Sequence, residues 1–201
     1  LYTRLETLSL SRNRRIRDSH LAQMTSLTSL DLSDNEFVSS TGVSTLTSLS
    51  TLSLVRNYRV ADTALKCLPN LTRLELDCSL ATDAGLLHLE TKLRLLSTLE
   101  TTGITGAAIA RMTNLRSLTI DDTTALTDTE LAQLTNLQQL LLLDCNTVTD
   151  AGVRLLTNLE QLSVVNCKKV TTGVLPFLCL CKSAEFDEVE MIGQDQSDSL
   201  S

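Results

Sequence analysis

Few residues in this sequence have the types and spacing that chemistry requires. His20 and His88 are the only histidines, and they lie about three repeat lengths apart. A zinc site needs three or four ligands converging on one point, and neither histidine has Cys, Asp or Glu at ligand spacing. The serines are numerous, but none has a histidine at a distance that would activate it. No GxSxG, P-loop or GxGxxG sequence occurs. The chain therefore reads as a non-enzyme, with no catalytic residues, no metal site and no cofactor. The six cysteines are Cys67, Cys78, Cys145, Cys167, Cys179 and Cys181. They form no CxxC pair, and a disulfide framework is unusual in a chain this long. Reduced, buried thiols imply an intracellular, cytoplasmic setting.

Charge narrows the partner. The net charge is −7, from 17 basic and 24 acidic residues. Six acids fall in the last nineteen residues with no base among them: Glu185, Asp187, Glu188, Glu190, Asp195 and Asp198. Phosphate-backbone binding draws on Lys and Arg, so this balance points away from nucleic acid. No apolar run reaches the roughly 18 residues of a membrane helix, so no membrane partner is expected. One basic cluster stands apart, the four arginines of Arg12–Arg17. It reads either as an anionic contact or as a solvated loop.

Aromatic residues make up 2% of the chain, so any core must be aliphatic. A repeat supplies it. The pattern LxxLxL begins at Leu5, Leu27, Leu49, Leu71, Leu93, Leu115, Leu137 and Leu159, always 22 residues apart. Its third slot holds Leu10, Leu32, Leu54, Leu76, Thr98, Ile120, Leu142 and Val164, so only Thr98 departs. A polar or thiol column follows: Asn13, Asn35, Asn57, Ser79, Thr101, Thr123, Cys145 and Cys167. Two apolar columns close the unit, one running from Leu21 through Leu87 to Leu175 and the other from Met24 to Leu178, where Glu90 replaces an inward aliphatic. Alternating leucines make a strand with every second side chain inward. One unit cannot bury its apolar row alone, but stacked copies build a continuous core. Asn side chains suit the bend where the chain leaves the strand, because their amides can satisfy exposed backbone groups. The remaining limb of about ten residues allows only one or two helical turns. Asp128 and Asp150 read as N-caps of those turns, and Thr127 with Glu130 as a capping box. The stretch 79–106 is expected to be the least regular, since Asp83 comes one position early.

These columns resemble the leucine-rich repeat pattern LxxLxLxx(N/C)xL over roughly residues 2–180. The short period is similar to bacterial and phosphatase-regulator-like repeats. The segments LTDTELAQL and VTDAGVRLL, with Cys in the polar column, resemble the cysteine-containing repeats of F-box proteins. The resemblance implies an α/β fold, a right-handed solenoid of about eight parallel concave strands with short helical or 3-10 convex turns. Residues 1–180 form the array, which is expected to continue upstream. Residues 181–201 form a C-terminal cap remnant and an acidic disordered tail. The resemblance also implies a protein-interaction scaffold that docks a protein on the open sheet face. Its alternatives are an adaptor subunit of a ubiquitin ligase and an extracellular receptor or adhesin ectodomain.

Strand register identifies the outward residues of that face. Leu95, Leu99, Leu141, Leu143 and Val165 point away from the core, and clustered exposed aliphatics mark contact sites. Gln139 and Gln161 stand beside them. Asp121, Asp122 and Asp144, with Glu100, line one edge with like charge, which is unfavourable on neighbouring strands. Together they imply a protein partner with a basic, partly apolar surface. Earlier in the chain, Arg12, Asp34 and Arg56 alternate in sign, as an ion ladder would.

Overall fold

The computed structural model describes residues 4–77 and 80–187. Each LxxLxL unit forms a short strand: β1 Thr7–Ser9, β2 Ser29–Asp31, β3 Thr51–Ser53, β4 Arg73–Glu75, β5 Leu95–Thr98, β6 Ser117–Asp121, β7 Gln139–Leu143 and β8 Gln161–Val165. A ninth, β9 Ser183–Asp187, lies within the stretch that the sequence set apart as a cap remnant. All nine join one parallel sheet in chain order. Partners are 22 residues apart at every step, as Leu8↔Leu30 and Leu140↔Leu162 show. Parallel strands need a crossover connection, and the convex limb of each repeat provides it.

The core is one aliphatic stack between sheet and limbs. Leu30, Leu52, Leu74, Leu96 and Leu118 are all essentially inaccessible. Seven of the eight limbs carry one short α-helix: α1 Asp18–Leu21, α2 Ser40–Val43, α3 Asp62–Leu65, α4 Asp83–Leu86, α5 Gly106–Ala110, α6 Asp128–Leu131 and α7 Asp150–Val153. Three 3-10 turns, Leu87–Leu89, Asp122–Thr124 and Thr172–Phe177, complete the set among the described residues.

Where repeats drift, the inward residue shifts by one. Helix α4 starts early, so Leu86 and Leu89 enter the core while Leu87 is exposed. Glu90, expected at the inward position, instead pairs with Arg111 at 2.7 Å. Val174 likewise takes the place expected of Leu175. In the sixth repeat the extra 3-10 turn moves the polar slot from Thr123 to Thr124. Thr124 is buried and its hydroxyl donates to the Asp121 carbonyl.

Asp128 and Asp150 are not N-caps but the first helical residues; Thr127 and Thr149 hold the cap positions. The aspartates instead reach across to the next repeat. Asp18, Asp62, Asp83, Asp128 and Asp150 accept from the backbone N–H and hydroxyl of Ser39, Thr82, Thr105, Thr149 and Thr171 respectively. A Cβ on Gly152 would clash with Asp128 Oδ1, so the bare backbone is what lets that carboxylate seat. The fifth repeat has Gly106 at the aspartate position and offers Thr127 nothing. Glu130 of the same helix accepts from the Thr127 N–H at 2.9 Å instead. The Thr127 hydrogen bonds hold its carboxyl below the usual range.

Candidate binding face

The concave face is ruled by rows that cross the strands. One row runs Leu95, Ser117, Gln139, Gln161, Ser183. The next runs Ser97, Thr119, Leu141, Ser163, Glu185. A third runs Asp121, Leu143, Val165, Asp187. Over β6–β9 the first two rows line a shallow trough of about 320 Å³, with Gln139, Leu141, Gln161, Ser117, Ser163 and Glu185 among its residues. Three of the ten expected contact residues therefore meet in one place. Leu143 and Val165 lie in the row beside it. Leu95 and Leu99 stand apart, because β6 puts Ser117, Thr119 and Asp121 between them and the other aliphatics. All five aliphatics are half-buried rather than fully exposed. Neighbouring side chains already cover part of each.

No family model and no curated protein matches the sequence. Solved structures do. The described fold superposes on an internalin (InlF) of Listeria monocytogenes with TM-score 0.69 and 25% identity, covering 92% of this chain and 55% of that one. It superposes on the LRR ectodomain of the Arabidopsis receptor kinase HAESA, solved with an IDA peptide hormone, with TM-score 0.62 and 23% identity over 85% of this chain. TLR13, solved with a single-stranded RNA, gives TM-score 0.56 and 19% identity over 90% of this chain and 36% of its own length. The fold is that of the leucine-rich repeat proteins. The chain spans about half the internalin (55%) and a third of HAESA (32%).

The bends after the leucine-rich repeat strands fix the charged edge. Asn35 and Asn57 are fully buried. Asn57 Oδ1 accepts from Arg59 N and Val60 N at 3.0 and 3.1 Å, and its Nδ2 donates to the Asn35 carbonyl at 2.9 Å. The residue before six of these slots turns left-handed: Arg12, Asp34, Arg56, Glu100, Asp144 and Asn166 all have φ between 52 and 57°. That conformation costs a non-glycine residue about 1–2 kcal/mol. It is held because the same residue's N–H reaches the next repeat, as Asp34 N does to the Val55 carbonyl at 2.8 Å.

The acidic edge has work inside the fold. Asp121 Oδ2 accepts from Glu100 N at 2.6 Å, where other repeats use a backbone carbonyl, and its Oδ1 accepts from Thr123. Asp122 accepts from Asn146 N at 3.2 Å, and Asp144 from Asn166 Nδ2 at 2.5 Å. These bonds offset the repulsion that register alone implied. In the first repeats Arg56 grips Asp34 with two bonds of 2.6 and 2.8 Å, and Arg12 adds a third at 3.4 Å. The Arg56 guanidinium, with Arg12 behind it, holds the Asp34 carboxyl down at about 2.

Cys145 and Cys167 fill the polar slot of the last repeats as buried thiols, and Cys145 N donates to Cys167 Sγ at 3.1 Å. That neighbour, and then burial, push the Cys145 thiol up. Cys67 and Cys179 are free and exposed; Cys78 lies outside the described residues. His20 Nδ1 accepts from Arg17 N at 3.1 Å. Among the described residues no group of three His, Cys, Asp or Glu is placed to hold a metal, and no helix is long and apolar enough to cross a membrane. Two features left no simple mark on the sequence reading. One is the aspartate ladder. The other is a second amide ladder, in which Asn114, Asn136 and Asn158 donate to the carbonyls of Thr91, Thr113 and Thr135.

Proposed function

We propose that this chain is a protein-interaction scaffold that docks an extended segment of a protein partner on its concave face. The observation that carries the reading is the trough over β6–β9, where Gln139 and Gln161 pair across β7 and β8 and Leu141 stands next to them in the following row. The two amides offer donors and acceptors to a peptide backbone, and Leu141 offers a central apolar contact. The Leu143 and Val165 row extends that contact. The acidic edge at Asp122 and Asp144 favours a segment with Lys or Arg, chiefly by steering its approach. The HAESA ectodomain with its peptide hormone is a precedent on this fold for such a partner. A displayed library of random peptides, selected on the protein, tests the reading. Selected peptides should bind the wild type and lose binding to Leu141→Asp. They should keep it with Leu155→Asp on the convex side. Equal binding to Leu141→Asp would reject the concave face.

A further inference from the structure

A second cleft lies away from the trough, over the bends of the first three repeats. It measures about 310 Å³ and is lined by Arg12, Arg14, Asp34, Glu36, Phe37, Arg56 and Tyr58. Arg14, Glu36 and Tyr58 occupy equivalent positions in successive repeats. Asp34 is already committed to Arg56 and Arg12. The Arg14 guanidinium has no ion pair or hydrogen bond among the described residues, although its carbonyl accepts from Arg17. Tyr58 is 54% exposed beside it. Phe37 also lines the cleft, with the Arg17 guanidinium 3.9 Å from its ring centroid. Arg15 and Arg59 directly follow Arg14 and Tyr58 in the chain. A free planar guanidinium next to aromatic rings fits a carboxylate whose neighbour is aliphatic.

The chain itself contains such a segment. Residues 188–192 read Glu-Val-Glu-Met-Ile, and Asp195 and Asp198 follow with no base nearby. Residues 188–192 fall short of this chain's own cleft. Six to eight steps of about 4.8 Å put the first three repeats roughly 29–38 Å from β9. At about 3.5 Å per extended residue, residue 192 comes at most ~18 Å beyond Asp187. We propose that the cleft formed by Arg14, Phe37 and Tyr58 binds residues 188–192 of a second copy, so that copies associate head to tail. Such a contact is heterologous and leaves both ends open to further copies. Glu36, the one uncommitted acid of the cleft, opposes the incoming carboxylates and keeps the contact weak. The proposal does not depend on the concave-face reading, since no residue is shared.

The test uses the full chain and a fluorescent peptide of residues 185–198, followed by anisotropy at low salt. The wild type should bind, and binding should weaken as salt rises. Arg14→Glu should weaken it about tenfold, the effect of replacing an exposed attraction by a repulsion. Glu36→Gln should tighten it, a change that damage to the fold does not produce. A peptide with every acid replaced by its amide should not bind. Sedimentation of the full chain should show concentration-dependent association that Arg14→Glu abolishes. The proposal falls if the peptide fails to bind, or if Arg14→Glu binds it equally. It also falls if the chain stays monomeric while the peptide binds. A single-stranded oligonucleotide that binds more tightly than the peptide, and loses binding in Arg14→Glu, would assign the cleft to a polyanion instead.

Discussion

Thr98 offers the sharpest test of how the core is held. It stands in a column otherwise filled by Leu, Ile and Val, pairs with Ile120 across the sheet, and is fully buried. Its hydroxyl has no hydrogen-bond partner. An unsatisfied buried hydroxyl costs about 1–3 kcal/mol. Thr98→Val keeps the shape and replaces that hydroxyl by a methyl, which also adds apolar surface to the core. The variant should be more stable by about 1–2 kcal/mol. At roughly 2–4 °C per kcal/mol for a chain of this size, the melting temperature should rise by ~2–8 °C. Thr98→Ser keeps the polar atom, loses a methyl, and should be destabilised by about 1 kcal/mol. Urea unfolding by circular dichroism measures both, with the slope checked because stacked repeats can unfold in parts. If Thr98→Val is neutral or destabilising while the slope is unchanged, the hydroxyl is satisfied in solution, and a bridging water is the first alternative to examine.

Asn57→Ala should orphan two backbone donors and the Asn35 carbonyl, at a cost of about 2–4 kcal/mol in denaturant unfolding, because all lie away from water. Ala125 is exposed and left-handed at φ 47°, so Ala125→Gly should add up to about 1 kcal/mol, read in the same assay. The Asp34 carboxyl has a folded value of about 2, below its ordinary 3.8. The stabilisation it contributes is therefore present above the ordinary value and lost as pH falls through the folded one. Carbon-detected NMR titration should show the low value, and Arg56→Ala should raise it. Ellman's reagent should label Cys67 and Cys179 quickly and reach Cys145 and Cys167 only on unfolding; fast labelling of Cys145 would contradict its burial.

The strand columns were legible because they answer to one strong rule, burial at period two, repeated every 22 residues. Asn35 and Asn57 were legible for a related reason: at a bend with exposed backbone donors few side chains serve as well. Errors arose where a single residue was inserted or lost. A fixed frame put Glu90, Leu175 and Thr123 inward. The chain instead slips by one, so that Leu89, Val174 and Thr124 fill those places, because burial outweighs register in a loop that can absorb the change. The ninth strand was obscured by weak inward residues, Ala184 and Phe186, yet β8 supplies an open parallel edge that five residues can join. The candidate face was legible in direction only. Register places Leu95 and Leu141 on one side of the sheet, but not the gap that β6 leaves between them.

The role of the charged edge follows from what its carboxylates already do. A carboxylate has two oxygens and about four acceptor positions. Asp121 gives three of its own to Glu100 N and to the N–H and hydroxyl of Thr123. Its first duty is to hold the bend, and Asp121→Asn should weaken the fold before it weakens any contact. Asp122 and Asp144 each have one bond from a neighbouring repeat and retain an oxygen toward solvent. Under the proposed function, selectivity for a basic partner would therefore rest on those two. Asp144→Asn keeps a side chain that can bond Asn166 and favours the same left-handed backbone. It should leave the unfolding midpoint almost unchanged while slowing association with a basic peptide at low salt, measured by stopped-flow fluorescence. A change in midpoint as large as that of Asp121→Asn would show that the whole edge is structural, and that partner choice is made by Gln139 and Gln161 instead.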